Sequence, residues 1–219
     1  MRKFIKSLCR VTLLATATSA GLFVFTAAYA QDNPNYFYVV KGQLPGARVL
    51  QLGDPENWSL PITENIGKSK TGKLSVVPTM FKTKGDAIQF TWNSLKETPA
   101  SVGIYGAVLD LSKFKNSAAL VIDLRVDSKA ESDVKVGIDC GYPCKGEVVV
   151  NKLITTFPKG QWFSLPIPLN CFKGDTFDLA KVLAPFTMIT SGKFAVSISG
   201  VHLEKLGADE KGCVDANKT

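Results

Sequence analysis

The chain has 219 residues, 45% of them hydrophobic, and a formal net charge of +7. Residues 1–30 hold four basic and no acidic side chains, so 22 basic and 19 acidic side chains follow them and the charge of that part is +3. The lysines between residues 68 and 84 lack interleaved aromatic residues and any nucleic-acid motif, so we interpret them as a solvated loop and expect no nucleic-acid partner.

The first thirty residues have the three parts of a secretory signal peptide. The basic side chains come first, at Arg2, Lys3, Lys6 and Arg10. An apolar run over residues 11–28 follows, and Ala28-Tyr29-Ala30 supplies the small residues of a cleavage site. We predict cleavage after Ala30, a periplasmic or secreted protein, and no membrane span in the mature chain. The alternative is an uncleaved anchor, because the run approaches the ~17-residue lower limit for a spanning helix.

Alternation of apolar and polar residues predicts half-buried strands along most of the mature chain. The predicted strands cover residues 74–77, 88–92, 120–126, 134–138, 147–150, 162–169, 186–189 and 194–203. The last alternation slips at Gly200, which predicts a β-bulge. Residues 151–156 and 178–183 predict a turn or two of helix, with Asn151 and Asp178 as N-caps.

Residues 44–84 are richer in glycine, proline and lysine, and we predict that they wrap the edge of the domain as loops apart from the strand at 74–77. Short strands separated by turns, with no amphipathic helices between them, favour an all-β fold. The fold class is an antiparallel two-sheet sandwich of the jelly-roll type, formed by residues 31–219 as one domain. The 189 residues of this segment are enough for a hydrophobic core without help from metal ions.

Four cysteines follow the signal segment: Cys140, Cys144, Cys171 and Cys213. In an oxidising compartment an even number predicts two disulfides, with three possible connectivities. Gly141 and Pro143 form a turn that brings the first two thiols close together, so we favour the pairs Cys140–Cys144 and Cys171–Cys213. Zinc binding and a thioredoxin-like redox role are the alternatives, but the C-x-x-x-C spacing fits neither.

Residues for catalysis are few. The single histidine, His202, is predicted on the solvent side of the last strand, and no serine stands in a G-x-S-x-G motif, so neither a serine nor a cysteine nucleophile has an oriented base. A glycosidase needs two opposed carboxyl groups. The candidates are scattered over strand faces and turns: Asp86, Asp110, Asp123, Asp127, Asp139 and Glu147. We expect no enzyme and no cofactor, with a structural calcium ion left open and its ligands unnamed.

Aromatic side chains carry more information, because sugars stack their C–H faces on exposed rings and bond their hydroxyls to polar groups at the rim. Trp92 and Trp162 lie in predicted strands and are expected in the core. Trp58 in the loop after Gly53-Asp54-Pro55, Tyr105 before Gly106, and Tyr142 at the tip of the cysteine turn are the candidates for a sugar platform. The alternative for Trp58 is a lid packed on the sandwich.

Several short motifs occur in order along residues 38–205. They are Gly53-Asp54-Pro55 with Trp58, Gly85-Asp86-Ala87 with Trp92, Val108-Leu109-Asp110-Leu111-Ser112, Leu124-Arg125-Val126-Asp127, Asp139-Cys140-Gly141 with Cys144, Gly160-Gln161-Trp162, Leu169-Asn170-Cys171-Phe172 and Ala184-Pro185-Phe186. Together they resemble the C-terminal domain of ExoP-type family-3 glycoside hydrolases, which are bacterial exo-acting β-glucosidases and glucan glucohydrolases.

The resemblance implies a galactose-binding-like β-sandwich, here as an accessory domain on its own. In that family the catalytic residues lie in preceding domains, so no catalytic residue is carried over to this chain. Cys213 is an addition to the family pattern, which supports its pairing with Cys171.

The resemblance and the candidate platform together predict an exported, non-catalytic carbohydrate-binding or carbohydrate-associated module linked to β-glucan breakdown. Its expected partners are a β-glucan-like polysaccharide or oligosaccharide and a separate glycoside hydrolase. A different class of function is a protein-interaction domain that docks on an envelope or secreted enzyme through an apolar patch. A small hydrolase with a carboxylate pair comes third.

Overall fold

The computed structural model of the protein describes residues 33–94, 97–207, 209–210 and 212–213. The chain divides into Met1–Gln31 and Asp32–Thr219, and every described residue belongs to the second unit. The predicted signal peptide and its alternative as an anchor therefore lie outside the described residues. Within the described ranges, no helix is long and apolar enough to cross a membrane.

The described residues form thirteen strands and little helix. The strands are β1 (Phe37–Val40), β2 (Val49–Asp54), β3 (Asn57–Ile62), β4 (Gly67–Lys68), β5 (Leu74–Met80), β6 (Lys84–Trp92), β7 (Ala100–Tyr105), β8 (Ala118–Ser128), β9 (Lys135–Asp139), β10 (Lys145–Val149), β11 (Trp162–Pro168), β12 (Ala184–Thr190) and β13 (Phe194–Lys205). The helical elements are α1 (Asn151–Ile154) and single 3-10 turns at Ser112–Phe114, Leu169–Cys171 and Leu179–Lys181. The all-β prediction is confirmed.

Two antiparallel sheets face each other. Sheet A has seven strands, in the order β11-β8-β13-β6-β5-β4, with β1 also paired to β13. Sheet B has six strands, in the order β10-β9-β12-β7-β2-β3. The predicted bulge is present, since the register between β13 and β8 shifts between Ile198 and Gly200.

The core lies between the sheets and takes every second side chain of the central strands. Leu120, Ile122 and Leu124 of β8 are buried, and so are Val102 and Ile104 of β7. Burial of each such side chain stabilises the fold by about 1.5–3 kcal/mol. The period-two alternation in the sequence therefore corresponds to a real inner and outer face of each sheet.

Trp92 is fully buried in this core, as predicted. Its indole N–H donates a hydrogen bond of 2.8 Å to the backbone carbonyl of Ala100. A buried tryptophan needs such an acceptor for its one polar group.

The prediction of loops over residues 44–84 is wrong. This stretch contains β2, β3, β4, β5 and the start of β6. Pro61 of this stretch lies on β3, an edge strand of sheet B, which is where sheets tolerate a residue without a backbone N–H. Its apolar alternation, Leu50 and Leu52 around Gln51, is too short to stand out among turn residues.

The helical predictions are half right. Asp178 does cap its 3-10 turn, accepting a hydrogen bond from the N–H of Ala180. Asn151 does not cap α1, whose N-cap is Val150. The Asn151 side chain instead joins two backbone groups, accepting from the N–H of Val134 and donating to the carbonyl of Ser132.

Both favoured disulfides are present. Cys140–Cys144 closes the turn that follows β9, and Cys171–Cys213 joins the chain after β11 to the C-terminal segment. The Cα–Cα distance is 5.0 Å in each. The Tyr142–Pro143 peptide bond within the first turn is cis.

Candidate functional site

The outer face of sheet B is built from two neighbouring rows of side chains that cross the strands. Strand pairing aligns the first row as Pro61, Gln51, Gly103, Thr187, Gly137 and Glu147. It aligns the second row as Gly53, Ser101, Ile189, Lys135 and Val149. Directly paired residues share a face, and the residues between the two rows, such as Leu52, Val102, Met188 and Val136, are buried in the core.

Three glycines lower this face, on β2, β7 and β9. A Cβ atom on Gly53 would lie 3.0 Å from Cε3 of Trp58, and one on Gly103 would lie 2.6 Å from Cε2 of Tyr105. A Cβ on Gly137 would lie 2.6 Å from Oγ1 of Thr187. Because Gly53 of β2 and Gly103 of β7 have no side chain, the rings of Trp58 and Tyr105 can lie against the sheet.

Trp58 is the second residue of β3, and 51% of it is exposed. The prediction that it lies in a loop is wrong, because the turn ends at Glu56 and β3 begins at Asn57, so Trp58 belongs to the sheet. Its ring rests on Gly53 at the outside of sheet B, away from the core. Trp58 is therefore exposed enough to contact a ligand.

A buried carboxylate holds the turn that presents Trp58. Asp54 is fully buried and accepts hydrogen bonds from the N–H groups of Glu56 at 3.0 Å and Asn57 at 3.2 Å. It also accepts from the N–H of Thr71 at 2.7 Å and from its hydroxyl at 2.8 Å. One side chain thus joins the β2–β3 turn to the β4–β5 turn.

The charge of Asp54 is favoured by these donors. Burial alone raises the pKa of Asp54, but the hydrogen bonds from Thr71, Ser69 and Glu56 outweigh burial and lower the pKa to about 2. The turn beneath Trp58 is therefore held by a carboxylate that stays ionised at every pH above about 4.

Tyr105 is the last residue of β7 and lies half-buried over Gly103. Its hydroxyl donates to Oδ2 of Asp139 at 3.3 Å, and Oδ1 of the same carboxylate accepts from the N–H of Gly141 at 2.6 Å. Burial, together with the charge of Asp139, raises the pKa of Tyr105 to about 12. The phenol is therefore neutral at physiological pH and presents a flat, uncharged ring.

Tyr142 is fully exposed at the tip of the Cys140–Cys144 turn. It comes three residues after Asp139, which is the last residue of β9 and accepts the hydrogen bond from the Tyr105 hydroxyl. The three candidate aromatics therefore do not form one flat platform. Trp58 and Tyr105 lie on the sheet, and Tyr142 stands at its end.

The charges at the far side of this face compensate one another. Glu147 forms ion pairs with Lys145 at 2.8 Å and Lys135 at 3.2 Å. Burial raises the pKa of Glu147, but the two lysines lower it overall. Lys145 and Glu147 of β10 also line a pocket of about 300 Å³, together with residues that include Asp175 and Thr176.

The same interactions argue against a carboxylate pair for hydrolysis. Asp139 and Glu147 are diagonal neighbours on β9 and β10, but each is already bonded to donors. A general acid needs a raised pKa, whereas the pKa of Glu147 is lowered. Asp86 and Asp110 organise turns, accepting hydrogen bonds from backbone N–H groups.

His202 lies on the outer side of β13, as predicted, because its neighbours Val201 and Leu203 pack on the core, but it is largely covered. Its side chain is only 22% exposed because Phe37 stacks on it, with ring centroids 5.6 Å apart. Its Nδ1 lies 4.0 Å from Oδ2 of Asp123, while the Ser164 hydroxyl donates to the other oxygen of that carboxylate. The serine is thus bonded to the aspartate rather than to the histidine, which is not the order of a catalytic triad.

Trp162 is the second correction among the aromatics. It lies on the outer face of sheet A, not in the core, in a row with Arg125, Ser197 and Gln89. Its ring lies 5.1 Å from the Arg125 guanidinium and 4.6 Å from the ring of Phe81. Successive residues of a strand point to opposite faces of the sheet, and the sequence analysis assigned Trp162 to the wrong face.

Metal ligation is not evident in the described part of the chain. Within those ranges, no group of three or more His, Cys, Asp or Glu side chains could hold a metal ion. The carboxylate of Asp54, the best-buried acid, is surrounded by N–H and O–H donors rather than by other oxygen ligands. Calcium stays a prediction.

Two packed antiparallel sheets with this strand order define a galactose-binding-like β-sandwich domain. The model of the ExoP C-terminal family, described as galactose-binding domain-like, matches residues 49–203, and the chain belongs to this family. The resemblance noted in the sequence is confirmed. No match was found among curated proteins.

Solved structures agree on the fold. The extra C-terminal domain of the exo-1,3/1,4-β-glucanase ExoP from Pseudoalteromonas is 18% identical, with a TM-score of 0.63 over 82% of this chain and 99% of that domain. In the whole ExoP enzyme the match is 19% identical with the same TM-score of 0.63, over 83% of this chain and 21% of the enzyme. A family 30 carbohydrate-binding module of a Clostridium thermocellum cellulosomal cellulase is 14% identical, with a TM-score of 0.51 over 80% of this chain and 98% of the module.

Proposed function

We propose that the protein is a non-catalytic carbohydrate-binding module that holds a β-glucan chain on the outer face of sheet B. The observation that carries this proposal is the pair of rings, Trp58 and Tyr105, resting on glycines of adjacent strands. A sugar ring offers a flat C–H face, which is complementary to an exposed aromatic ring.

The spacing of the two rings favours a chain over a single sugar. Gly53 and Gly103 are diagonal neighbours, because Gln51 pairs with Gly103 and Gly53 pairs with Ser101. Diagonal neighbours lie about 7–8 Å apart, so the two rings engage successive parts of an extended ligand. The first row continues across six strands, and strands about 4.8 Å apart make this face roughly 24 Å wide.

The polar groups on this face suit a neutral glycan. Gln51, Ser101 and Thr187 lie beside the rings and supply amide and hydroxyl groups for sugar hydroxyls. Glu147 compensates the nearest lysines, Lys135 and Lys145, so an anionic glycan would compete with an existing ion-pair network. This favours β-glucan-like ligands over acidic polysaccharides.

The comparisons support the same ligand class. The ExoP enzyme is named as an exo-1,3/1,4-β-glucanase, and the family 30 module belongs to a cellulase. By analogy, we propose that this chain serves a separate glycoside hydrolase by keeping it near its substrate. Export is part of the proposal, because two disulfides are typical of proteins outside the cytoplasm.

Affinity electrophoresis of residues 31–219 tests this function, in gels with laminarin, mixed-linkage glucan, xylan or no polysaccharide. We expect retardation in a glucan gel, and its loss in the Trp58→Ala variant. Phe157→Ala is the matched control, since Phe157 is also an exposed aromatic residue but lies away from sheet B. Equal mobility of the unaltered protein in all four gels would overturn glucan binding and move protein docking to first place.

A further inference from the structure

A second pocket lies at one end of the sandwich, apart from the aromatic rings of sheet B. It has a volume of about 490 Å³ and is formed where β8 ends and α1 begins the connection to β11. Its lining residues are Val126, Lys129, Ala130, Ile154, Thr155, Phe157 and Lys159. Pockets of 300–1,000 Å³ with mostly apolar walls are the usual size for small-molecule sites.

The apolar side of the pocket is well supported. Val126 and Ile154 are buried, and the ring of Phe157 stacks on that of Phe163 with centroids 3.6 Å apart and planes 9° apart. Phe157 is nevertheless 37% exposed, so one side of the stacked pair is uncovered. The pocket thus offers an apolar surface that nothing else in the described chain covers.

Both ends of the connection that carries Phe157 are tied to the sandwich. Asn151, at the start, bonds to the backbone of Val134 at 2.7 Å and of Ser132 at 3.0 Å. At the other end, the N–H of Gly160 donates to the carbonyl of Val126 at 2.9 Å. These bonds hold both ends of the connection that carries Ile154, Thr155, Phe157 and Lys159 of the pocket lining.

The polar side of the pocket is positive. Lys129 and Lys159 are the charged residues among its lining, and no acidic residue lines it. Across the described residues, neither lysine has an ion-pair partner within 4.0 Å. Two uncompensated ammonium groups beside an apolar wall are complementary to a ligand with an apolar body and one negative group.

We propose that this pocket binds an apolar carboxylic acid. The hydrocarbon body lies against Phe157, Ile154 and Val126, and the carboxylate bonds to the ammonium groups of Lys129 and Lys159. This site is independent of the glucan face, since its lining includes neither Trp58 nor Tyr105. The protein would then bind a glycan and an amphiphilic acid at separate places.

Isothermal titration calorimetry with decanoate and with decanol, below their micelle or solubility limits, tests the proposal on residues 31–219. We expect saturable binding of decanoate and at least roughly tenfold weaker binding of decanol, because hydrogen bonds to charged groups are the stronger ones. Equal affinity for the two compounds, or no saturable heat with decanoate, would overturn the proposal.

Variants locate the site. Lys129→Gln combined with Lys159→Gln should weaken decanoate binding roughly tenfold and leave decanol binding unchanged. The matched control is Lys68→Gln with Lys70→Gln, two exposed lysines elsewhere on the domain. An equal loss in that control contradicts the assigned pocket.

A third variant separates this site from the glucan face. Trp58→Ala should keep full decanoate affinity while losing glucan retention, and thermal melts by circular dichroism confirm that each variant is folded. If Trp58→Ala abolishes decanoate binding in a folded protein, the two sites are one and the inference fails while glucan binding stands.

Discussion

The two outer faces of the sandwich each carry a tryptophan, but only the tryptophan on sheet B is open to a ligand. On sheet A, Trp162 lies between Arg125 and Phe81, and these two side chains of the protein already contact its ring. On sheet B, Trp58 rests on Gly53 with half of the residue exposed. An aromatic residue becomes available to a ligand when the residues around it are too small to cover it.

The polar residues follow the same rule. On sheet A, Asp127 accepts hydrogen bonds from Arg125 at 2.6 Å, Ser197 at 2.5 Å and Gln89 at 2.9 Å. These groups have little capacity left for sugar hydroxyls. On sheet B, Gln51 and Ser101 stand beside glycines, where a ligand can approach the backbone.

The largest expected effect comes from exchanging the two tryptophans for alanine. Trp58→Ala should weaken glucan binding about thirtyfold, since truncation of a central aromatic anchor typically costs about 2 kcal/mol. Trp162→Ala should lower the melting temperature, because Arg125 and Phe81 lose their contact, and leave glucan retention nearly unchanged. Affinity electrophoresis and circular dichroism measure the two effects. Loss of retention in a folded Trp162→Ala protein would place the ligand on sheet A.

The next effect comes from filling the lowered face. In Gly103→Ala the new Cβ would meet Tyr105 at 2.6 Å and Thr187 at 3.2 Å, so the tyrosine ring must move. We expect a roughly tenfold loss of glucan affinity and a loss of about 1–3 kcal/mol in the free energy of unfolding. Gly207→Ala is the control, because the nearest atom to its Cβ would be 3.6 Å away. Unchanged glucan affinity in Gly103→Ala contradicts a ligand at this row.

Two buried or turn-forming aspartates allow a matched comparison of the faces. Asp54 holds the turn before Trp58, and Asp86 holds the β5–β6 turn that carries Phe81. Asp54→Asn places an amide N–H among N–H donors, so we expect a roughly fivefold loss of glucan affinity, or about 1 kcal/mol, and lower stability. Asp86→Asn should lower stability and leave glucan affinity unchanged. Equal effects of both variants on retention would show that stability alone controls it.

The same pair predicts a pH dependence. Asp54 has a pKa of about 2 in the folded protein, against an ordinary value of 3.8. Partial burial raises the pKa of Asp86, but hydrogen bonds from the backbone N–H groups of Phe81, Thr83 and Lys82 outweigh burial and lower it to about 2. A carboxylate whose pKa is lowered on folding contributes its full stabilisation above about pH 4. This stabilisation is lost as the pH falls from about 4 to about 2, because the carboxylate becomes protonated. In melts at successive pH values, the difference between the unaltered protein and Asp54→Asn should shrink over this range.

The smallest expected effect is that of a single hydroxyl. Tyr105→Phe keeps the ring over Gly103 and removes the 3.3 Å hydrogen bond to Asp139. We expect about a twofold loss of glucan affinity, since a long hydrogen bond contributes about 0.5 kcal/mol. Comparing the retardation of Tyr105→Phe and Tyr105→Ala in a glucan gel distinguishes the contribution of the ring from that of the hydroxyl. Equal loss in both variants would assign the effect to the bond with Asp139.

Sequence patterns were a good guide to the fold. The alternation along β8, β9 and β13 predicted half-buried strands, and the turn-forming Gly141 and Pro143 predicted the Cys140–Cys144 disulfide. These features are local, because strand alternation and a four-residue turn depend on neighbouring residues. The motif order then identified the family, which the family comparison confirms.

The site was only partly predictable. Trp58 and Tyr142 were expected to be exposed, and both are. The assignment of Trp162 to the core failed because alternation places a residue on one face of a strand without telling which face meets the other sheet. Nothing in the sequence marked Gly53, Gly103 and Gly137 as parts of a site, since they are far apart in sequence and come onto one face only through strand pairing.

The sequence by itself thus determined that this chain forms an all-β domain of its family with two disulfides, because local periodicity, turn residues and motif order encode these properties. The tertiary structure alone decided which face is open. Strand register brings glycines and aromatic residues from distant parts of the chain together on the outer face of sheet B, and long-range packing of Phe81 against Trp162 covers the corresponding tryptophan on sheet A.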